Sequence, residues 1–296
     1  MPACYNFSAP RLAYNKVKDV RPSPIAGTWY PGDPEVLAGS VDQMLALAGP
    51  PQAGENIIGI IVPHAGHRYS GHVAGRAFGC LAGSRHGLVV IVAPFHGRHD
   101  SPILTTSHAA YQTPLGEVPV DTEALARFED RLSTISDLRV TRVARDGEHS
   151  LEIELPFLQR ALPQPFRLLP LMLRDQSRAA AEAVGRALAD SVPPDSPLLI
   201  ASSDLSHYRP TSEARRLDQM LLHRIESFDP AGVLSAEEEG LGYACGKGAI
   251  AAVLWAAQRM GATKARIVHY ADSGDITGDR SAVVGYGAAV IYRPRP

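Results

Sequence analysis

The sequence predicts an α/β fold with a mainly parallel or mixed central sheet flanked by helices, and three observations lead there. First, short apolar, β-branched runs recur: IIGIIV at 57–62, LVVIVA at 88–93 and PLLIASSD at 197–204. Each is too short for a buried helix and reads as a strand covered on both faces. Second, segments of helical period lie between them, the clearest being SRAAAEAVGRALADSV at 177–192. Strands alternating with helices imply a sheet with helices on either side. Third, no linker and no repeat of fixed period interrupts the pattern, so residues 21–296 are expected to form one domain behind an extension at 1–20.

The elements follow in order. The opening residues are polar and ragged as far as RPSP, which suits an extension on the surface. AGTWYPGDPEVL begins a loop that leads into a helix ending near Leu47. After the strand at 57–62, small residues at 71–82 read as a helix. The strand at 88–93 follows, then a helix at 121–131 with Asp121 as its N-cap. LRVTRVA at 138–144 alternates like a half-buried strand. Residues 150–162 look helical, with Pro156 expected to kink or shorten the helix. FRLLPLML at 166–173 is a strand, 177–192 a helix and 197–204 a strand. Helices are expected at 212–226, 230–238 and 246–260. ARIVHYAD at 265–272 and SAVVGYGAAVIY at 281–292 close the sheet.

Composition narrows the function. The chain has 296 residues, 45% hydrophobic and 20% charged, with a net charge of -2. That is enough apolar content for a sizeable core. No stripe of Lys and Arg points to nucleic acid, and no block of like charge to an interaction tail. No apolar run approaches the roughly 18 residues of a membrane span, and the N-terminus lacks a secretion pattern. Cys4, Cys80 and Cys245 are far apart and odd in number. A cytoplasmic protein is therefore expected, with any chemistry at cysteine done by a thiolate.

Ligands of open α/β sheets bind beyond the carboxyl ends of the strands. Pro63-His64-Ala65-Gly66 follows the first apolar run, Pro94-Phe95-His96-Gly97 the second, and Ser202-Ser203-Asp204-Leu205-Ser206-His207 a third. Histidines at equivalent strand ends argue for a shared site. Cys245, between Ala244 and Gly246, opens a helix whose dipole, with Lys247, would favour its thiolate; a small apolar filler is the other reading. His149 and Glu152, three apart, could form an acid/base pair or a capping arrangement with Ser150. His67, His72, His86, His99, His108, His223 and His269 read as surface or satisfied core residues.

Two imidazoles and a thiolate, His64, His96 and Cys245, make a donor set for a transition metal, with Asp204 and His207 beside it as groups that orient or transfer protons. A metal-free alternative uses Cys245 as nucleophile with a histidine base oriented by Asp204 or Glu152. No GxSxG elbow or phosphate loop is present.

At these residues the chain resembles the Memo family, the middle component of the AmmeMemoRadiSam set. The resemblance runs from Arg21 to Tyr292 and is carried by AGTWYP (26–31), VPHAG (62–66), APFH (93–96), YQTPLGEVPVD (111–121), EHSLEIELPFLQ (148–159), IASSDLSHY (200–208) and YACG (243–246). It implies a fold similar to that of class III non-haem iron extradiol dioxygenases. It also implies a pocket in which His64, His96 and Cys245 hold a metal, with His149, Asp204 and His207 around it. Those dioxygenases use two histidines and a carboxylate, so Cys245 in the third place does not imply ring cleavage. His67 stands where the family often has Tyr, and Phe95 and Gly97 replace the usual neighbours of His96. Some members bind phosphotyrosine peptides, but no arginine cluster suited to that is visible here.

The resulting expectation is a metal-binding protein carrying iron or copper, with zinc also compatible, that performs redox chemistry on a small molecule. His64, His96 and Cys245 would be the ligands. Asp204 and His207 would transfer protons, and His149 and Glu152 would line the pocket. A protein partner from the AmmeMemoRadiSam set is implied by the resemblance; nucleic acid and membrane are not expected. The alternatives are a metal-free Cys/His hydrolase and a non-catalytic peptide- or protein-binding module.

Overall fold

Four apolar runs lie side by side as parallel strands, in the spatial order Glu55–Val62, Pro197–Ser202, Leu88–Pro94, Arg167–Leu173. The computed structural model describes residues 19–49, 55–163, 165–192 and 197–294. Residues 1–18 of the expected extension, with Cys4, lie outside the described residues. Antiparallel strands flank the parallel centre, making a mixed nine-stranded sheet. Val283–Pro294 pairs with Glu55–Val62 and also with Lys264–Asp272 and His207–Arg209. At the far side, Ile103–Thr106 runs antiparallel to Arg167–Leu173 and parallel to Val140–Val143. A small second sheet joins Val20–Arg21, Ala110–Thr113 and Gly116–Pro119.

Both faces of the central strands are dry, as their unbroken apolar runs require. In Leu88–Pro94, Val89, Ile91 and Ala93 enter one apolar cluster while Leu88, Val90 and Val92 enter the other. Pro34–Leu45, His67–Gly79 and Leu155–Ala161 cover the first face. Thr122–Ile135, Arg178–Ser191, Thr211–Glu226 and Lys247–Arg259 cover the second. The caps are local: Asp33, Asp121 and Ser177 each accept from backbone N–H groups of the first turn, satisfying donors that would otherwise be orphaned.

Some element boundaries differ from expectation. The single helix expected over 150–162 is a 3-10 turn, Glu152–Glu154, followed by Leu155–Ala161. Pro156 sits in the first turn of that helix, where its missing N–H removes no intrahelical bond. The helix expected from 71 starts at His67, whose N–H is held by the Trp29 carbonyl at 2.9 Å. No helix among the described residues is long and apolar enough to cross a membrane. Because the central strands are parallel, their carboxyl ends fall on one edge. Val62, Pro94 and Ser202 therefore deliver His64, His96 and the segment Ser203–His207 to the same place.

Candidate metal centre

Ring nitrogens of His64, His96 and His149 lie within 4.8 Å of one another. His64 is buried and its imidazole is T-shaped to His96 and His149, with centroids 5.2 and 5.5 Å away. His96 and His149 stack at 4.9 Å, and Trp29 lies over His149 at 4.1 Å. Cys245 lies beside His64, with Sγ 3.2 Å from its Nε2, but it is not one of the donors that all lie within 4.8 Å of one another.

His64 and His96 are each held through Nδ1. His96 Nδ1 is 2.9 Å from Glu148 Oε1, and the His96 backbone N–H donates to Glu148 Oε2 at 2.6 Å. Glu148 also accepts from the N–H groups of His149 and Ser150. Burial alone would raise the Glu148 carboxyl, but the His96 side chain and these backbone donors hold it well below the usual range. His96 is affected in turn: burial works against its charge, yet Glu148 raises its pKa. His64 Nδ1 is 2.9 Å from Ser202 Oγ. Burial, then the neighbouring His149 and His96, push His64 well below the ordinary imidazole value. His149 is lowered to about 4, chiefly by burial. With both Nδ1 atoms engaged, His64 and His96 are left with Nε2 for another partner.

The cysteine turn is pinned by its backbone. Cys245 N–H donates to the Asp204 carbonyl at 3.2 Å and Gly246 N–H to Ser203 Oγ at 2.9 Å. Gln176 Nε2 donates to the Cys245 carbonyl at 2.6 Å, and its Oε1 accepts from Gly248 N–H. A Cβ on Gly246 would come within 2.5 Å of the Ser202 carbonyl oxygen, so the glycine allows the turn to press against the strand end. The expected acidification of Cys245 is corrected here. Burial pushes the thiol up, and the Asp204 carboxyl adds to the effect. Lys247 does not counter it, because its Nζ is tied to Glu237 at 2.6 Å.

Asp204 and His207 stand where the sequence placed them, at the end of Pro197–Ser202. Asp204 Oδ1 accepts from the backbone N–H groups of His64 at 2.8 Å and Ala65 at 3.3 Å. Burial raises its carboxyl to about 7. His207 Nδ1–H donates to the Leu205 carbonyl at 2.7 Å, leaving Nε2 free to exchange a proton. Beside it a cavity of about 490 Å³ is lined by Ser206, His207, Arg209, Arg216, Glu237 and Tyr243.

Glu152 has no oxygen to spare for a pocket. Oε2 pairs with Arg21 Nη1 at 2.5 Å, and Oε1 accepts from Ser23 and from Tyr30 Oη. His67 is a core residue, packed between Tyr30 and Phe157 with Nε2 3.2 Å from the Ile153 carbonyl. Sequence reasoning passed over Glu148 and Ser202 as site residues. Both lay inside quoted motifs, and the available signal was a carboxylate or hydroxyl adjoining a candidate ligand.

The donors suit a transition metal. Imidazole nitrogens and a cysteine sulfur are donors such ions take, and His64 Nε2 and Cys245 Sγ lie 3.2 Å apart. Replacing Glu148 by leucine, which can accept nothing from Nδ1, should free the His96 ring and lower metal affinity about 10- to 100-fold. Equilibrium dialysis with zinc measures this, and unchanged affinity would deny Glu148 its orienting role.

A family model described as Memo-like protein matches residues 21–290. A MEMO1 family protein of Nitrosopumilus maritimus is 35% identical over 273 residues, covering 91% of this chain and 98% of that protein. One of Methanothermobacter thermautotrophicus is 37% identical over 276 residues, covering 90% and 98%. Among solved structures, an uncharacterised protein of Escherichia coli K12 is similar in fold, with a TM-score of 0.53 at 14% identity, covering 79% of this chain and all of that one.

Proposed function

The chain belongs to the Memo family of Memo-like proteins, and from that premise we propose that it binds one iron or copper ion and uses it for redox chemistry on a small organic molecule. The observation that carries this reading is the convergence of three imidazole nitrogens within 4.8 Å, with a cysteine sulfur 3.2 Å from one of them. In it, His64, His96 and Cys245 are the ligands. An iron or copper ion there would supply a change of oxidation state and open coordination positions, and the same donors would accept zinc. His207, through Nε2, and Asp204 carry protons to and from the substrate. His149, under Trp29, forms a wall of the site. The cavity beside His207, whose lining includes none of the three ligands, would hold a small molecule next to that proton carrier. A protein partner from the AmmeMemoRadiSam set and a cytoplasmic setting, suggested by the scattered cysteines, complete the proposal.

Anaerobically purified protein should contain close to one equivalent of iron or copper by elemental analysis. Metal-free protein that takes up none of iron, copper or zinc would overturn the reading. The third ligand is tested by contrast. Cys245→Ser should lose most of the bound metal, whereas His149→Ala should retain it and lose turnover. The reverse pattern would assign the ion to the three imidazoles.

The close pairing of Cys245 with His64 also supports a thiol nucleophile with an imidazole base. Burial, which holds that thiol protonated, counts against it. Rapid alkylation of Cys245 at neutral pH in metal-free protein would favour the hydrolase.

A further inference from the structure

Ser202 makes more contacts than its single hydrogen can serve. Its Oγ lies 2.9 Å from His64 Nδ1, 2.6 Å from the Ser150 carbonyl oxygen and 2.9 Å from Glu154 Oε1. A hydroxyl has one proton and two lone pairs. The Ser150 carbonyl can only accept, and it makes the shortest of the three contacts, so it takes the Ser202 proton. The Glu154 contact at 2.9 Å then joins two oxygens, and it is a hydrogen bond only if Glu154 supplies the proton. The remaining lone pair of Ser202 faces His64 Nδ1 and must receive an N–H.

The surroundings of Glu154 agree. Its side chain is fully buried, in the 3-10 turn Glu152–Glu154. Among the described residues no cation is paired with it, and Oε2 has no hydrogen-bond partner. A carboxylate there would be a buried charge answered by one hydroxyl, which desolvation strongly disfavours. Burial pushes this carboxyl well above its ordinary value, and nearby Asp204 adds to the effect.

We propose that Glu154 is a neutral carboxylic acid whose O–H is donated to Ser202, and that Ser202, its own proton given to the Ser150 carbonyl, accepts from His64 and holds it as the Nδ1–H tautomer with its Nε2 lone pair directed at the centre. Glu154 is thus a positioning residue acting through Ser202. Its consequence for metal binding rests on the metal-centre reading above; the protonation state and the tautomer do not. The two imidazoles are then held differently. His96 leans on the charged Glu148, which increases its donor strength, whereas His64 leans on a neutral relay that fixes direction without adding charge. A ligand set with one thiolate thereby avoids a second buried anion behind His64.

The test uses the full chain in metal-free form. Infrared difference spectra of wild type against Glu154→Gln at neutral pH should show the carbonyl band of a protonated carboxylic acid that the variant lacks. A carboxylate band in its place overturns the proposal. Nitrogen-15 NMR should place the His64 proton on Nδ1 in wild type and in Glu154→Gln, whose amide can still donate to Ser202. Glu154→Met, which cannot donate, should keep the His64 proton on Nδ1, because the Ser150 carbonyl still takes the Ser202 proton, and should show about tenfold weaker zinc binding as Ser202 loses the donor that holds it. If Glu154→Gln loses zinc affinity as Glu154→Met does, the neutral donor is refuted. Should Glu154→Met fail to fold, the wild-type and glutamine spectra still decide. A protein that binds no zinc would sink the metal reading while leaving the infrared band and the tautomer to judge Glu154.

Discussion

His64→Ala is expected to weaken iron, copper and zinc binding at the proposed centre by more than about 100-fold, beyond the loss usual for residues that only orient a ligand. The protein should stay folded. His64 sits at the end of Glu55–Val62, and its backbone N–H to Asp204 Oδ1 survives the change. What the variant loses in stability is the packing of a buried ring and its contacts to Ser202 Oγ and Cys245 Sγ. Ser202 keeps the Ser150 carbonyl and Glu154, so the penalty is that of the cavity and the unmet polar contacts, about 2–5 kcal/mol. Equilibrium dialysis with iron, copper and zinc, alongside thermal unfolding, separates the two effects. Retained stoichiometric metal in a folded His64→Ala protein would show that the ion, if any, sits elsewhere. The variant also tests the thiol: without His64 Nε2, Cys245 loses its ring partner and should not become more reactive to alkylation.

The sheet and the histidines at its end were legible in the sequence for one reason. Parallel strands buried on both faces must be continuous apolar runs, and whatever follows each run lands on a common edge. LVVIVA and IIGIIV advertise both facts, and so His64 and His96 could be paired without coordinates. The short strands Ile103–Thr106 and Gly116–Pro119 were not legible, being four residues each and without a long alternating run. The state of Cys245 was misjudged because a helix start and a nearby lysine are local signals. Whether Lys247 faces the sulfur or Glu237 depends on a tertiary contact. Glu152 was misread for the same reason. Its spacing from His149 suggested a shared helical face, but that stretch holds a 3-10 turn, and the carboxylate is claimed by Arg21 from the other end of the domain.

Arg21 gives the largest expected change in stability. It lies in the short strand Val20–Arg21 and is 3% exposed. Nη2 contacts Asp146 Oδ1 at 2.6 Å, Nη1 contacts Glu152 Oε2 at 2.5 Å, and Nη2 also donates to the Glu148 carbonyl at 2.8 Å. The guanidinium lies 5.0 Å from the centroid of the Tyr111 ring. Arg21→Met preserves bulk but strands two buried carboxylates. Breaking a buried pair by removing one partner costs about 3–5 kcal/mol, which for a chain of this size should lower the unfolding midpoint by roughly 10 °C. Pairing the change with Glu152→Leu should recover part of the loss, since one uncompensated charge is removed with its partner. The metal centre should respond as well. Arg21 holds the carbonyl of Glu148, and the side chain of Glu148 holds His96, so zinc affinity should fall in Arg21→Met even where the protein remains folded. Calorimetry and zinc dialysis on the two variants check both parts. An Arg21→Met protein within about 1 kcal/mol of wild type would mean that Asp146 and Glu152 find water or protons at little cost, and that the strand Val20–Arg21 is not what ties the start of the domain to its centre.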